Sequence, residues 1–388
     1  MKTQREIEID AFIKDHPTAK LPAPLSVVYH GKVNPEDVFR LPTKLLIFNI
    51  ANGRFAAELI EEERKLRRQL DPLKPDDAKI IRRFLLEQNE SETKALTDDI
   101  KANGQLDPGI ITSDGAVING NRRMSILQTL YAETGKERYA YLNVARLPRG
   151  VDAKDLWKIE AKLQFGRDFR LEYGPINELL KIRAGKLSGL SEKQISDALG
   201  GRYSPKGVEE KLRILKLIDS YLNSIGKPGE YKIIQEERIV EKFNSLHSNV
   251  VVPLAKGPHK PEVPKITQIA FGMIKGGKHS HWKIRELRKI SEVPGAKKAL
   301  LTAYDINGKL SSPQKVADAF DAASYIVEAQ EQKDRPEKLA SNALSALSEI
   351  DSAHEAVAKQ DFKTLLGEIQ TEVTRLVKAG ASKRAKRR

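Results

Sequence analysis

The feature that most constrains this chain is "AVINGNRRMSIL" at residues 116–127, where an apolar run passes through one glycine directly into a helical pattern. Such a strand-turn-helix sets two elements and the joint between them. Just upstream, "GIIT" and "AVIN" flank Ser113-Asp114-Gly115, and an Asp-Gly between short apolar runs predicts a hairpin. The helix after Gly120 places Met124, Leu127, Leu130 and Tyr131 on one face. Before the hairpin, Ser91 is expected to cap a helix ending near Asn103-Gly104. After it, "RYAYLNVARL" at 138–147 reads as a further strand. Earlier, "LPTKLLIFNIANGRF" at 41–55 reads as a strand ending in a turn at Asn52-Gly53. Residues 56–70 are helical, with Glu61 and Lys65 spaced to pair, and Ile80, Ile81, Phe84 and Leu85 stripe the next helix. Residues 1–150 therefore read as a small α+β domain.

From residue 151 onward almost every segment has helical period. In 189–222, Ser191 caps a short helix with Ile195 and Leu199 inward, and Gly200-Gly201 makes a turn. Ser204-Pro205 then opens a second helix lined by Val208, Leu212 and Leu215, which is a helix-turn-helix pattern. Proline density marks 251–266 as a linker, 267–380 reads as a helical self-association region, and 381–388 is a basic tail. At 388 residues the chain exceeds what one core usually holds, so two or three domains are expected.

Charge narrows the partners. Lys and Arg number 67 against 53 Asp and Glu, and the resulting +14 favours a polyanion, most simply nucleic acid. The absence of cysteine removes disulfides, thiolate metal sites and a cysteine nucleophile, and fits a reducing cytoplasm. No run of about 20 apolar residues predicts a membrane span, and the first residues lack the apolar core of a secretory signal. No Ser-His-Asp order, P-loop or His-Glu-x-x-His supports a common hydrolase. His279 and His281 sit in a basic loop and read as exposed or phosphate-contacting rather than metal-binding, and Trp157 and Trp282 read as packing anchors.

The Gly120 joint carries chemistry of its own. A helix N-terminus offers unpaired N–H groups and positive potential, Gly120 permits close approach, and Arg122 and Arg123 add forked donors for phosphate oxygens. The bland alternative is that both arginines pair with Asp98, Asp99 or Glu133.

"DIKANGQLDPGIITSDGAVINGNRRMSIL" at 99–127 resembles the N-terminal domain shared by ParB partition proteins and sulfiredoxin, with its Gly-Gln segment, hairpin and Gly-x-x-Arg helix start. "FNIANGRF" resembles the family's early box through Asn49, Asn52 and Arg54, and "WKIEAKLQF" stands where ParB proteins carry a Glu-Asn pair. The likeness spans about residues 41–222, in ParB-like order. It implies a fold of a ParB/sulfiredoxin-like α+β domain (1–150) followed by a helical helix-turn-helix domain (151–250). It implies a nucleoside triphosphate, CTP or ATP with Mg, held by Asn49, Asn52, Arg54, Gln105, Gly120, Asn121, Arg122 and Arg123, with Glu160 as metal ligand or catalytic group in slow hydrolysis. It further implies a homodimer clamped on double-stranded DNA, nucleoid- or plasmid-associated. Arg202, Tyr203, Ser204, Lys206, Lys211 and Arg213 are then the DNA-contacting residues. Three departures are plain. Asn121 replaces the cysteine that sulfiredoxin needs, so that activity is excluded; Glu160 is followed by Ala161; and the turn "GGRYSPKG" is long. The form also resembles ParB-like nucleases or NTPases of phage-defence and DNA-modification systems, and a transcriptional regulator is the third alternative.

Overall fold

A computed structural model describes residues 2–51, 53–165, 174–277 and 280–385. Helix α1 (Gln4–Asp15) is followed by a hairpin of β1 (Leu25–Tyr29) and β2 (Lys32–Glu36), then β3 (Val38–Pro42) and β4 (Ile47–Phe48). Helices α2 (Ala56–Leu66), α3 (Pro75–Glu87) and α4 (Glu90–Asn103) lead to β5 (Gly109–Ile111), β6 (Ala116–Asn119), α5 (Asn121–Thr134) and β7 (Tyr141–Arg146). The main sheet has the order β3-β7-β5-β6-β4. Within it β5 pairs antiparallel with β6 through the expected hairpin, and parallel with β7.

Alternation along the strands builds two cores from one sheet. Ile111, Val117, Leu142 and Val144 face a core completed by α1, α3 and α5, including Ile9, Ile81, Leu85 and Met124. Their neighbours Ile110, Ile118 and Ala145 face the other side with Val27, Tyr29 and Ile159. The mixed α+β class expected from the sequence is what the chain adopts.

The remainder is helical: α6 (Ala153–Phe165), α7 (Pro175–Leu187), α8 (Glu192–Ala198), α9 (Pro205–Ser224), α10 (Tyr231–Glu236), α11 (Val240–Leu246), α12 (Val252–Ala255), α13 (Val263–Lys275), α14 (His281–Glu292), α15 (Pro294–Leu300), α16 (Pro313–Ser348) and α17 (Gln360–Ala385). Their largest core gathers Ile214, Tyr221, Phe243, Phe271, Leu287 and Phe320.

Four details differ from the sequence expectations. The cap of α4 is Asn89, which accepts from the Glu92 N–H, and Ser91 lies inside the helix. The 41–55 segment is split by a 3-10 turn at Thr43–Leu45 into two strands. Residues 251–266 do not form an extended linker: Pro253, Pro261 and Pro264 sit at the first turns of short helices, where a missing N–H costs nothing, and Leu254 and Ile266 are buried. Helix α2 buries Ala57 in the helical core, beside α7 and α10, although it precedes most of the sheet in the chain. Sequence order alone cannot reveal such a crossing, because α2 has an apolar face that either core would accept. Among the described residues no helix is long and apolar enough to cross a membrane.

Candidate anion site and helix-turn-helix

Gly120 takes φ +109, a backbone conformation that residues with a Cβ rarely adopt, so the passage from β6 into α5 favours a glycine. No side-chain hydrogen bond from its N-cap residue, Gly120, caps α5. Asn121, buried behind the turn, ties the joint together. Its Oδ1 accepts from the Asn49 N–H at 3.2 Å and its Nδ2 donates to the Val117 carbonyl at 2.6 Å. The Asn49 side chain is turned to its own loop, where Oδ1 accepts from the Ala51 N–H.

Arg122 is buried, 7% exposed. Its Nε donates to the Leu85 carbonyl at 3.1 Å and Nη2 to Gln88 Oε1 at 3.5 Å, while Glu92 Oε2 stands 3.7 Å from Nη1. Burial, reinforced by the nearby Arg54 charge and opposed by Glu92, pushes the guanidinium pKa down to about 10. Arg122 is thus a buried cation that feels the charge of a second cation, Arg54, and a half-exposed carboxylate, Glu92. Asp98, Asp99 and Glu133 are not the partners of Arg122; Glu92 is.

The loop that carries Arg54 is held from three helices. Gly53 donates its N–H to Glu160 Oε1 at 3.1 Å, and Glu160 Oε2 pairs with Lys181 Nζ at 2.7 Å. Asn177 donates Nδ2 to the Arg54 carbonyl at 2.6 Å and accepts from the Ala57 N–H at 3.0 Å. Gln88, the C-cap residue of α3, also donates to the Arg54 carbonyl. Glu160 therefore spends both oxygens inside the protein, 3% exposed against 2% for Lys181. Asn52 lies outside the described residues.

Two expected ligands are engaged elsewhere. Gln105 clips β7, donating to the Tyr141 carbonyl at 2.9 Å and accepting from the Asn143 N–H at 3.0 Å. Arg123 donates to the Asp107 carbonyl. Sequence reading missed Gln88, Asn177 and Lys181. A signal existed for the last two: they are polar residues spaced i,i+4 on the face of α7 that also carries Leu180 and Ala184.

In the second unit, Ser191 and Gln194 form a capping box on α8, and Ser204 caps α9 by accepting from the Gly207 N–H at 3.1 Å. Between them Gly200 and Gly201 take φ +67 and +75. Ser196 closes the turn on the Tyr203 carbonyl at 2.6 Å, and Trp157, Ile182, Ile195, Leu199 and Val208 pack beneath. Burial, with Glu178 adding, pushes the Tyr203 hydroxyl up to about 12, and Lys211 Nζ lies 5.1 Å over the Tyr203 ring. Arg202 Nε is 3.6 Å from Glu178 Oε1, and Arg213 pairs with Glu209 at 2.7 Å. Tyr203, Ser204 and Lys211 thus build the turn, whereas Lys206 and Arg213 are exposed on α9.

No protein-family model matches the chain, and no curated protein matches it in sequence.

Proposed function

We propose that this protein is a ParB-like, nucleotide-regulated DNA-binding protein. In this reading the α5 N-terminus, Arg122 and Arg54 hold the phosphates of a nucleoside triphosphate, α8 and α9 dock on duplex DNA, and the C-terminal helices pair two copies. The observation that carries it is the meeting of Arg122, in the first turn of α5, and Arg54, in the turn before α2, at Gln88, which accepts from the Arg122 guanidinium and donates to the Arg54 carbonyl, with Glu92 alone of the acids named above beside Arg122. Phosphate oxygens are acceptors suited to guanidinium groups and to the N–H groups at a helix start.

The residues present fit the phosphates better than they fit a magnesium ion. Glu160 is neutralised by Lys181 and accepts from Gly53, so it offers no free oxygen to a metal. Its role here is to position the Gly53–Arg54 turn. Helix α7 gives the site a path to the DNA-binding unit, since it carries Asn177 and Lys181 toward that turn and Glu178 toward Arg202.

Calorimetric titration with the four nucleoside triphosphates tests this reading. At least one is expected to bind below millimolar, and Arg54→Ala to weaken it tenfold or more, as losing a charge-assisted contact of roughly 1.5–3 kcal/mol requires. Binding by none of the four, or equal affinity in the variant, would leave the arginines as structural groups only.

A further inference from the structure

A cavity of about 500 Å³ lies beneath the helix-turn-helix, walled by α7, α10 and α11 with Tyr203 and Lys211 at its side. Much of the wall is apolar, including Ile176, Leu179, Ile234 and Val240. Three of its lining residues nevertheless hold a buried oxygen that accepts no hydrogen bond: Glu178 Oε1, Gln235 Oε1 and Asn244 Oδ1. They make up three of the five such side-chain atoms among the described residues, a concentration that asks for a cause.

The orientation of these groups is partly fixed. Asn244 Nδ2 donates to Glu241 Oε2 at 2.9 Å, which assigns its Oδ1 to the unpartnered end. Glu178 is 8% exposed, and its Oε1 stands 3.6 Å from Arg202 Nε, beyond hydrogen-bond reach. Gln235 and Asn244 are half-buried, and the last torsion of an amide side chain is broad, so a small rotation turns either oxygen into the cavity.

We propose that this cavity binds a small primary amine as its ammonium ion. An ammonium carries three N–H donors and no acceptor, which answers three unpartnered acceptors. One of the three is a carboxylate, which supplies the counter-charge and makes its hydrogen bond the strong one. The apolar wall then takes the hydrocarbon body of the amine. Lys211 and Arg238 also line the cavity and Arg202 pairs with Glu178, so the bound ammonium takes the Glu178 carboxylate in competition with Arg202. The site is separate from the Arg54–Arg122 pair and does not depend on what binds there.

The test uses the full chain with n-butylammonium chloride as probe, 1-butanol as its uncharged counterpart and sodium chloride as ionic control. Binding is followed by calorimetry and by saturation-transfer NMR of the probe. Saturable binding of butylammonium, absent for butanol, is expected. Glu178→Gln keeps the shape and removes the charge, and is expected to weaken binding about tenfold. Asn244→Leu, which stands apart from Arg202, should weaken it as well and keeps the test decisive if the first variant does not fold. No saturable butylammonium binding, equal binding of butanol, or unchanged affinity in either folded variant overturns the proposal.

Discussion

Replacing Lys181 with methionine removes one charge from the most enclosed ion pair of the site while nearly preserving volume. In the native fold Lys181 Nζ lies 2.7 Å from Glu160 Oε2, with the two residues 2% and 3% exposed. The variant takes the buried lysine from Glu160, which still accepts from the Gly53 N–H at 3.1 Å. Removing one partner of a buried ion pair costs about 3–5 kcal/mol, which is a shift of at least about a hundredfold in the unfolding equilibrium. Removing both charges, as in Glu160→Gln with Lys181→Met, leaves no orphaned ion and is expected to recover most of that loss. The recovery matters more than the loss, because it separates electrostatics from disturbed packing.

Tryptophan fluorescence during urea unfolding reads the effect directly. Trp157 is buried, donates Nε1 to the Lys181 carbonyl at 3.1 Å, and has the Lys181 ammonium 5.4 Å from its ring. Trp282, the second of two tryptophans, is 62% exposed and contributes a flatter background. With a slope of about 1–3 kcal/mol per molar urea, the midpoint should fall by about 1 M or more in Lys181→Met. Added salt should change this little, since screening reaches exposed pairs and not enclosed ones. A loss below about 1 kcal/mol, or a double variant no more stable than the single one, refutes the assignment of this pair as the anchor of the Gly53 turn.

Three other outcomes are expected. His247 is buried, and burial depresses its pKa below 6.5, with Glu210 opposing and Arg213 adding. The unfolded chain therefore takes up the proton first and stability falls as pH drops below about 6.5; the melting-temperature loss between about pH 7 and 5 should shrink in His247→Leu, and equal losses would reject this. Leu339, Leu344, Val373 and Leu376 line one apolar groove of α16 and α17 and are more than half exposed; Leu344→Glu with Val373→Glu should shift sedimentation to a monomer if two copies pair there, and an unchanged mass would place any pairing elsewhere. Lys206 and Arg213 are exposed on α9; changing both to alanine should reduce the salt slope of duplex DNA binding by roughly 0.9 per lost phosphate contact, and an unchanged slope would remove α9 from the interface.

What the sequence made legible was local. The caps at Ser191 and Ser204, the glycine joint at 120 and the Asp114-Gly115 hairpin each depend on a few adjacent residues, and each forms as its spacing dictates. The prolines at 253, 261 and 264 were equally local but ambiguous, because proline serves a helix start as readily as a linker. What holds the candidate site is of another kind. Gly53 meets Glu160 across 107 positions and Asn177 meets the Arg54 carbonyl across 123, so no window of sequence contains both halves of either contact. The same distance explains why Glu160 reads as a metal ligand in isolation. A buried carboxylate has one meaning beside an open site and another beside an equally buried lysine, and the lysine stands on a different helix. The trace such contacts leave in one sequence is a polar residue out of place on an apolar face. Asn177 and Lys181 on α7 are that trace, and they mark a helix that holds the Gly53–Arg54 turn and also packs against α8 and α9.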